Sequence, residues 1–425
     1  MHQSRFQRTS NPAYSRRTAI GAGLSLAGSG VVAARGRGLA AASGATPQAS
    51  PVATDPAAHI VSLARDAMAE LDLRAVILRV VIDGDELVTT ALGESMTGVP
   101  ATPEMRFRNG AVAIAYIATA LLRLVDQGAV GLDDPLATWM PNLPDADQVT
   151  LRMLADMTAG YPDYVRDDAF VAAFYADPFR QWSAEELIDI GASKLRIFAP
   201  GTNWDYSHTN YVILGRALEA IAGRPLANLL QESVIEPMGL SGTVSAATAE
   251  IPEPALHAFS AERREALGIE PAGRFYEEST YWNPSWTLAD GSIQTTTIQD
   301  MTTTAIAVGT GSLLTPESHA AQVEPRLLGF GSPLEGCPSC HTLDERYSYG
   351  LGVVLSGGWI LQSPLFGGYS AVEAYLPSRK IAIAAATTYS ERAFDAQGNY
   401  RHGNASEILF ARIGAYLAPE DSPPA

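Results

Sequence analysis

The sequence predicts an α+β domain. Its antiparallel sheet is assembled from both ends of the chain and flanked by the terminal helices, and a helical lobe is inserted between the two halves. Three observations carry this expectation. Two β-rich runs, residues 75–82 and 86–91, stand near the start of the body. Four more, 347–355, 359–362, 371–375 and 381–387, stand near its end, and the stretch between reads as helix and loop.

Taken in order, the first 45 residues read as an address. Ser15-Arg16-Arg17-Thr18 precedes an apolar, Gly- and Ala-rich run from Ala19 to Ala34, and small residues from Leu39 to Ala45 offer cleavage positions. Paired arginines ahead of a weakly hydrophobic segment form the twin-arginine export pattern, so the expectation is an exported protein, secreted or held in the cell envelope. The competing reading is an uncleaved anchor. The run is short and broken by Gly and Ser, which disfavours a stable membrane span after the signal is removed. Residues 46–57 are a Pro-rich linker, 58–417 the folded domain and 418–425 a tail.

Apolar residues recur at helical spacing over 59–71, predicting an amphipathic first helix. Asp83-Gly84-Asp85 between the first two β-rich runs is a hairpin signal. Helices follow at 111–127, 151–157, 184–190, 210–222 and 226–235, and a last one at 405–417 closes the domain.

The chain has a net charge of −17, and the six arginines before Asp55 are unopposed by any acid, so the body is more acidic still. Such a surface repels nucleic-acid phosphate and anionic lipid headgroups. Nucleic acid is excluded as a partner class, and oligomeric state leaves no mark in the sequence.

Phe107-Arg108-Asn109-Gly110-Ala111-Val112-Ala113-Ile114, followed by Leu121-Leu122-Arg123-Leu124-Val125-Asp126-Gln127-Gly128 and Gly131-Leu132-Asp133-Asp134-Pro135, resembles the active-site helix of the serine β-lactamase-like hydrolases. That family comprises DD-peptidases (penicillin-binding proteins), class C-type β-lactamases and related esterases. Further matches follow in order: Thr158-Ala159-Gly160-Tyr161-Pro162-Asp163-Tyr164, then Tyr206-Ser207-His208-Thr209-Asn210-Tyr211, Leu313 to Ser318, and the last strands around Pro377. The resemblance implies a β-lactamase/transpeptidase-like fold.

The family's chemistry needs Ser-x-x-Lys at the start of a helix. One turn places the lysine amine beside the serine hydroxyl, easing removal of its proton. Here the serine position is Ala111 and the lysine position Ile114. A shifted register does not restore the motif: the only lysines are Lys194 and Lys380, and Gly191 and Pro377 stand three residues before them. Replacing both members together avoids leaving a buried ammonium without a partner.

In the family's second motif, Tyr-x-Asn, the tyrosine assists proton transfer and the asparagine binds the substrate amide. Tyr206 is kept and His208 stands in the asparagine position. One reading makes Tyr206 a packed aromatic and His208 a capping residue; the other makes them a reused acid/base pair acting on Ser207 or water. The third motif, a basic residue ahead of Gly-Tyr-Ser, is half kept. Gln362-Ser363-Pro364 precedes Leu365-Phe366-Gly367-Gly368-Tyr369-Ser370 with no cation in front. The resemblance thus implies a cleft lined by Tyr206, His208, Asn210, Gly367, Gly368 and Tyr369.

Cys337-Pro338-Ser339-Cys340-His341 matches a haem-attachment pattern but lies in a Gly/Pro-rich loop, where a short-range disulfide between Cys337 and Cys340 is the simpler expectation. Metal binding or a redox dithiol are the remaining readings. Scattered histidines and the lack of His-Glu-x-x-His argue against other metal sites, and no cofactor is predicted. Three functions follow. The leading one is a degenerate homologue that binds or scaffolds without acylating, its ligand an acyl-peptide, peptidoglycan-like or ester compound. The second is a live hydrolase with a nucleophile relocated to Ser207, Thr209 or Ser370. The third is a haem protein held through Cys337, Cys340 and His341.

Overall fold

A computed structural model describes residues 55–245, 248–288 and 291–424. The expected export signal and nearly all of the linker lie outside the described residues. The first helix, Pro56–Glu70, begins inside the expected linker, with Pro at its first position and the Asp55 carboxylate accepting from the Ala57 N–H at 3.2 Å.

The main sheet is antiparallel, and two strands from opposite ends of the chain lie side by side within it. From one edge the order is Val99–Pro100, Asp85–Met96, Leu73–Ile82, Ile381–Tyr389, Tyr369–Leu376, Trp359–Gln362, Val354–Ser356 and Ser348–Tyr349. The first long strand pairs with the last, Val76 opposite Thr387 and Ile82 opposite Ile381. The hairpin signal corresponds to a two-residue turn in which Asp83 and Gly84 have φ of 52° and 88°. Both central positions left-handed is the arrangement that matches the twist of the flanking strands.

Helices cover both faces, so the strand Ile381–Tyr389 is buried along its whole length. Ser370 points to one face, where its hydroxyl meets Ser406 of the last helix, Ala405–Leu417, at 3.2 Å. Tyr375, of opposite parity, meets the helix Ile298–Thr310 on the other face. The helix backbone lies so close to this side chain that a Cβ on Gly309 would sit 2.2 Å from the Tyr375 ring.

Among the described residues, three helices of eight residues or more, Asp168–Ala176, Ile298–Thr310 and Pro316–Val323, were not expected from the sequence. The second carries four threonines and two isoleucines, β-branched residues whose intrinsic preference is for strands, and packing against the sheet overrides that preference. The expected strand 347–355 divides into Ser348–Tyr349 and Val354–Ser356 around a turn in which Gly352 has φ of 74°. The expected helix 226–235 is an α-helix only to Leu230 and continues as a π turn over Gln231–Ile235. The residues expected as a tail are packed down: Pro423 lies against Gly414, and the Trp359 indole donates to the Asp421 carbonyl at 2.8 Å.

Candidate active-site region

The helix Val112–Asp126 is buried on nearly every side, and its start is tied into a second, three-stranded sheet. Phe107–Arg108 pairs with Gln294–Thr296. The buried Asn109 side chain donates to the Gln294 side-chain carbonyl at 2.7 Å and accepts from its backbone N–H at 2.9 Å. This doubly bonded asparagine fixes where the helix begins. Ala111, which the resemblance puts at the serine position, is half-buried there and contributes no side-chain cap. Ile114, which it puts at the lysine position one turn on, is fully buried in the core.

The segment after Gln362 closes on this helix start. A Cβ on Gly110, whose φ is 52°, would sit 2.5 Å from Pro364 Cβ and 2.8 Å from the Phe366 ring. Phe366 also lines a cavity of about 10 Å³, together with Arg108, Trp282, Trp286, Gly367 and Tyr369 among others. Gly368 lies so close to the Phe259 carbonyl that a Cβ would come within 2.3 Å of it. Tyr369 donates to the Leu256 carbonyl at 2.5 Å. The larger surface hollows, about 720 Å³ beside Ile251 and Tyr281 and about 430 Å³ beside Trp182 and Arg216, involve none of the motif positions.

The third-motif position connects to the second through aromatic packing. Gln362 donates to the Gly352 carbonyl at 2.7 Å. A Cβ on Gly352 would lie 2.9 Å from both the Ile114 carbonyl oxygen and the Tyr211 hydroxyl. On the preceding strand, the Tyr349 ring meets Tyr206 edge-on at 6.3 Å. Ile114, Gln362 and Tyr206 thus lie in one contiguous region around the turn at Gly352.

Tyr206 is buried, its hydroxyl has no hydrogen-bond partner, and desolvation pushes its acidity well out of the ordinary range. Ser207 Oγ is likewise buried and unpartnered. His208 stacks edge-on against Tyr206 at 5.3 Å, and its Nδ1 lies 3.2 Å from Asp163 Oδ2. The Asp163 carboxylate also accepts from the His208 backbone N–H at 3.1 Å. Burial alone would raise its pKa, but His208 and the nearby Arg166 outweigh that and hold it below the usual value. Asn210 is fully buried, its amide N–H directed at Met157 sulfur at 3.7 Å and its carbonyl oxygen unpartnered.

The other serine and threonine candidates stand apart from the histidine. Ser370 Oγ meets Thr387 at 2.7 Å and Ser406 at 3.2 Å, on the terminal-helix face of the sheet. Thr209 donates to the Pro162 carbonyl at 2.6 Å and accepts from the Tyr164 N–H at 3.2 Å. Neither hydroxyl has a base among its hydrogen-bond partners.

Cys337 and Cys340 are joined in a disulfide with Cα atoms 5.3 Å apart. With both sulfurs committed, neither is free to form the thioether that haem attachment requires. His341 turns instead to the Ser339 carbonyl, 2.7 Å from its Nδ1, and to the Trp204 ring at 5.6 Å. The disulfide turn is bolted to the second motif. Ser339 accepts from Arg166 at 2.6 Å and donates to the Asp205 carboxylate, and Arg166 also donates to the Tyr206 carbonyl at 2.9 Å. The Asp205 carboxylate lies within 4.8 Å of both sulfurs but is already paired with Arg166 at 2.9 Å.

Sequence reasoning did not single out Asp163, the Arg166–Asp205 pair or Arg108. Asp163 had a signal, since it sits in the loop that matched the family, but nothing local showed that it would meet His208.

The beta-lactamase family model matches residues 60–406. Among characterised relatives, penicillin-binding protein 4 of Amycolatopsis lactamdurans is 31% identical over 191 residues, which is 42% of this chain and 45% of that protein. Esterase EstB of Burkholderia gladioli is 30% identical over 205 residues, 45% of this chain and 52% of that one. The D-alanyl-D-alanine-carboxypeptidase/endopeptidase AmpH of Escherichia coli K12 is 29% identical over 171 residues, 39% and 43% of the two chains. The chain thus matches about half the length of these relatives. Among solved structures, the D-amino acid amidase of Ochrobactrum anthropi SV3 in complex with D-phenylalanine superposes with a TM-score of 0.70 at 21% identity, covering 87% of this chain and all of that one. A penicillin-binding protein from Bacillus halodurans gives 0.64 at 17% identity, covering 83% and 99%. At such identities the structural likeness speaks for the fold. The match over residues 60–406 speaks for more: the chain belongs to the β-lactamase family of penicillin-binding-protein-like serine hydrolases.

Proposed function

We propose that this protein is an exported, non-acylating member of its family, a binding or scaffold protein of the cell envelope. The observation that carries the reading is the pair Ala111 and Ile114, a methyl group at the helix start and a fully buried butyl group one turn on. Acyl transfer needs an oxygen nucleophile and a base that can take its proton, and these side chains supply neither. The packing of Pro364 and Phe366 on Gly110 supports the same reading, since it occupies the space in front of the helix start. Ser15-Arg16-Arg17-Thr18 supports export by the twin-arginine route. The relatives' names, a carboxypeptidase/endopeptidase, an amidase and an esterase, point to an acyl-peptide, peptidoglycan-like or ester compound as the ligand class, bound without a covalent step.

One observation favours a second reading. His208 is oriented by Asp163, and Ser207 Oγ beside it has no partner, which are parts of a nucleophile–base–acid arrangement. A fluorophosphonate probe separates the two. Under the first reading the purified protein stays unlabelled; labelling that maps to Ser207 and disappears in His208→Gln establishes the second.

A further inference from the structure

The cavity beside Phe366 is small and, at about 10 Å³, has room for one water-sized species. Its wall contains a cation with no counter-charge among the described residues. Arg108 is 2% exposed; its Nη2 donates to the Ala249 carbonyl, while its Nε and Nη1 have no acceptor. No carboxylate among the described residues is hydrogen-bonded to it. Burial draws the guanidinium down to about 10, opposed by the Tyr369 phenol. A second wall residue, Trp282, also has a buried N–H with no acceptor.

In a chain with 46 acidic and 29 basic residues, a buried arginine left without an acid is the less expected arrangement. Burying an unpaired charge costs several kcal/mol unless something neutralises it. A water molecule would fill the volume but leave the charge uncompensated. A carboxylate from a ligand would compensate the charge but exceeds the volume. A monatomic anion meets both conditions.

We propose that this cavity is a halide site, in which one chloride is held against the Arg108 guanidinium with the Trp282 indole N–H as a further donor. Because Phe366, Gly367 and Tyr369 also line the cavity, the ion ties the segment that packs on Gly110 to Arg108. The inference rests on the surroundings of Arg108 and stands whether or not the protein acylates.

Two measurements on the full chain test it. Crystals grown in sodium bromide should show an anomalous peak in contact with the Arg108 nitrogens. At fixed ionic strength, exchanging gluconate for chloride should raise the melting midpoint by on the order of 2 °C per tenfold rise in chloride beyond its dissociation constant. Arg108→Met should abolish the difference between the two salts. Should that variant not fold, Trp282→Phe should still shift the half-effect to higher chloride. A water in place of the bromide peak, or equal midpoints in chloride and gluconate, overturns the proposal.

Discussion

Ile114 shows how far a single position can be read. Its identity and the scarcity of lysine were enough to set aside Ser-x-x-Lys, because a motif defined by residue types is tested by reading the chain. Its full burial adds an energetic consequence. Ile114→Lys alone should lose on the order of 3 kcal/mol or more, since an ammonium would enter the core without a partner. Ala111→Ser, at a half-buried helix start, should stay within about 1 kcal/mol of wild type. Urea midpoints of the two variants measure both. Glu407 gives a pH-dependent counterpart. Burial raises its carboxyl from 4.5 to about 7. Its contribution to stability is therefore full below about pH 4.5 and is lost as pH rises through 7. Glu407→Gln should remove that loss, so the variant gains on wild type between pH 5 and 8, as melts across that range would record. Such shifts depend on which distant side chains cover a residue, and the pairing of Asp163 with His208 and the burial of Arg108 were illegible in sequence for the same reason.

At the scale of elements, the hairpin at Asp83-Gly84 and the last helix were readable because turn chemistry and apolar spacing act locally. The helix Ile298–Thr310 was not, because its threonines state a preference that the sheet beneath it overrules. The disulfide turn lies between these cases. Its pairing was legible from spacing and context, whereas its attachment to Tyr206 through Ser339, Arg166 and Asp205 was not. Closing so short a loop constrains the unfolded chain little, so Cys337→Ser with Cys340→Ser should cost about 2 kcal/mol. Arg166→Ala should cost more, about 3–5 kcal/mol, because it leaves the buried Asp205 carboxylate without its cation. Denaturation midpoints of the two variants, compared under the same conditions, test that order.

Over the whole molecule, the first and last long strands pair within the sheet and the helical lobe hangs from it, as β-rich runs at both ends with helices between them implied. The candidate site is built where three distant segments meet: the start of the helix at Ala111, the Tyr206–His208 segment, and the edge from Gln362 to Tyr369. The sequence named these segments through family resemblance. The seating of Pro364 and Phe366 on Gly110 emerges only when the chain is folded, since it joins residues far apart in the sequence. Removing nucleophile and base together acts as one loss, on the order of a million-fold in a comparable catalytic unit. The most direct measurement is intact-mass spectrometry of the purified protein after prolonged incubation with benzylpenicillin. The account predicts an unchanged mass, and a stoichiometric penicilloyl adduct on any residue would contradict it.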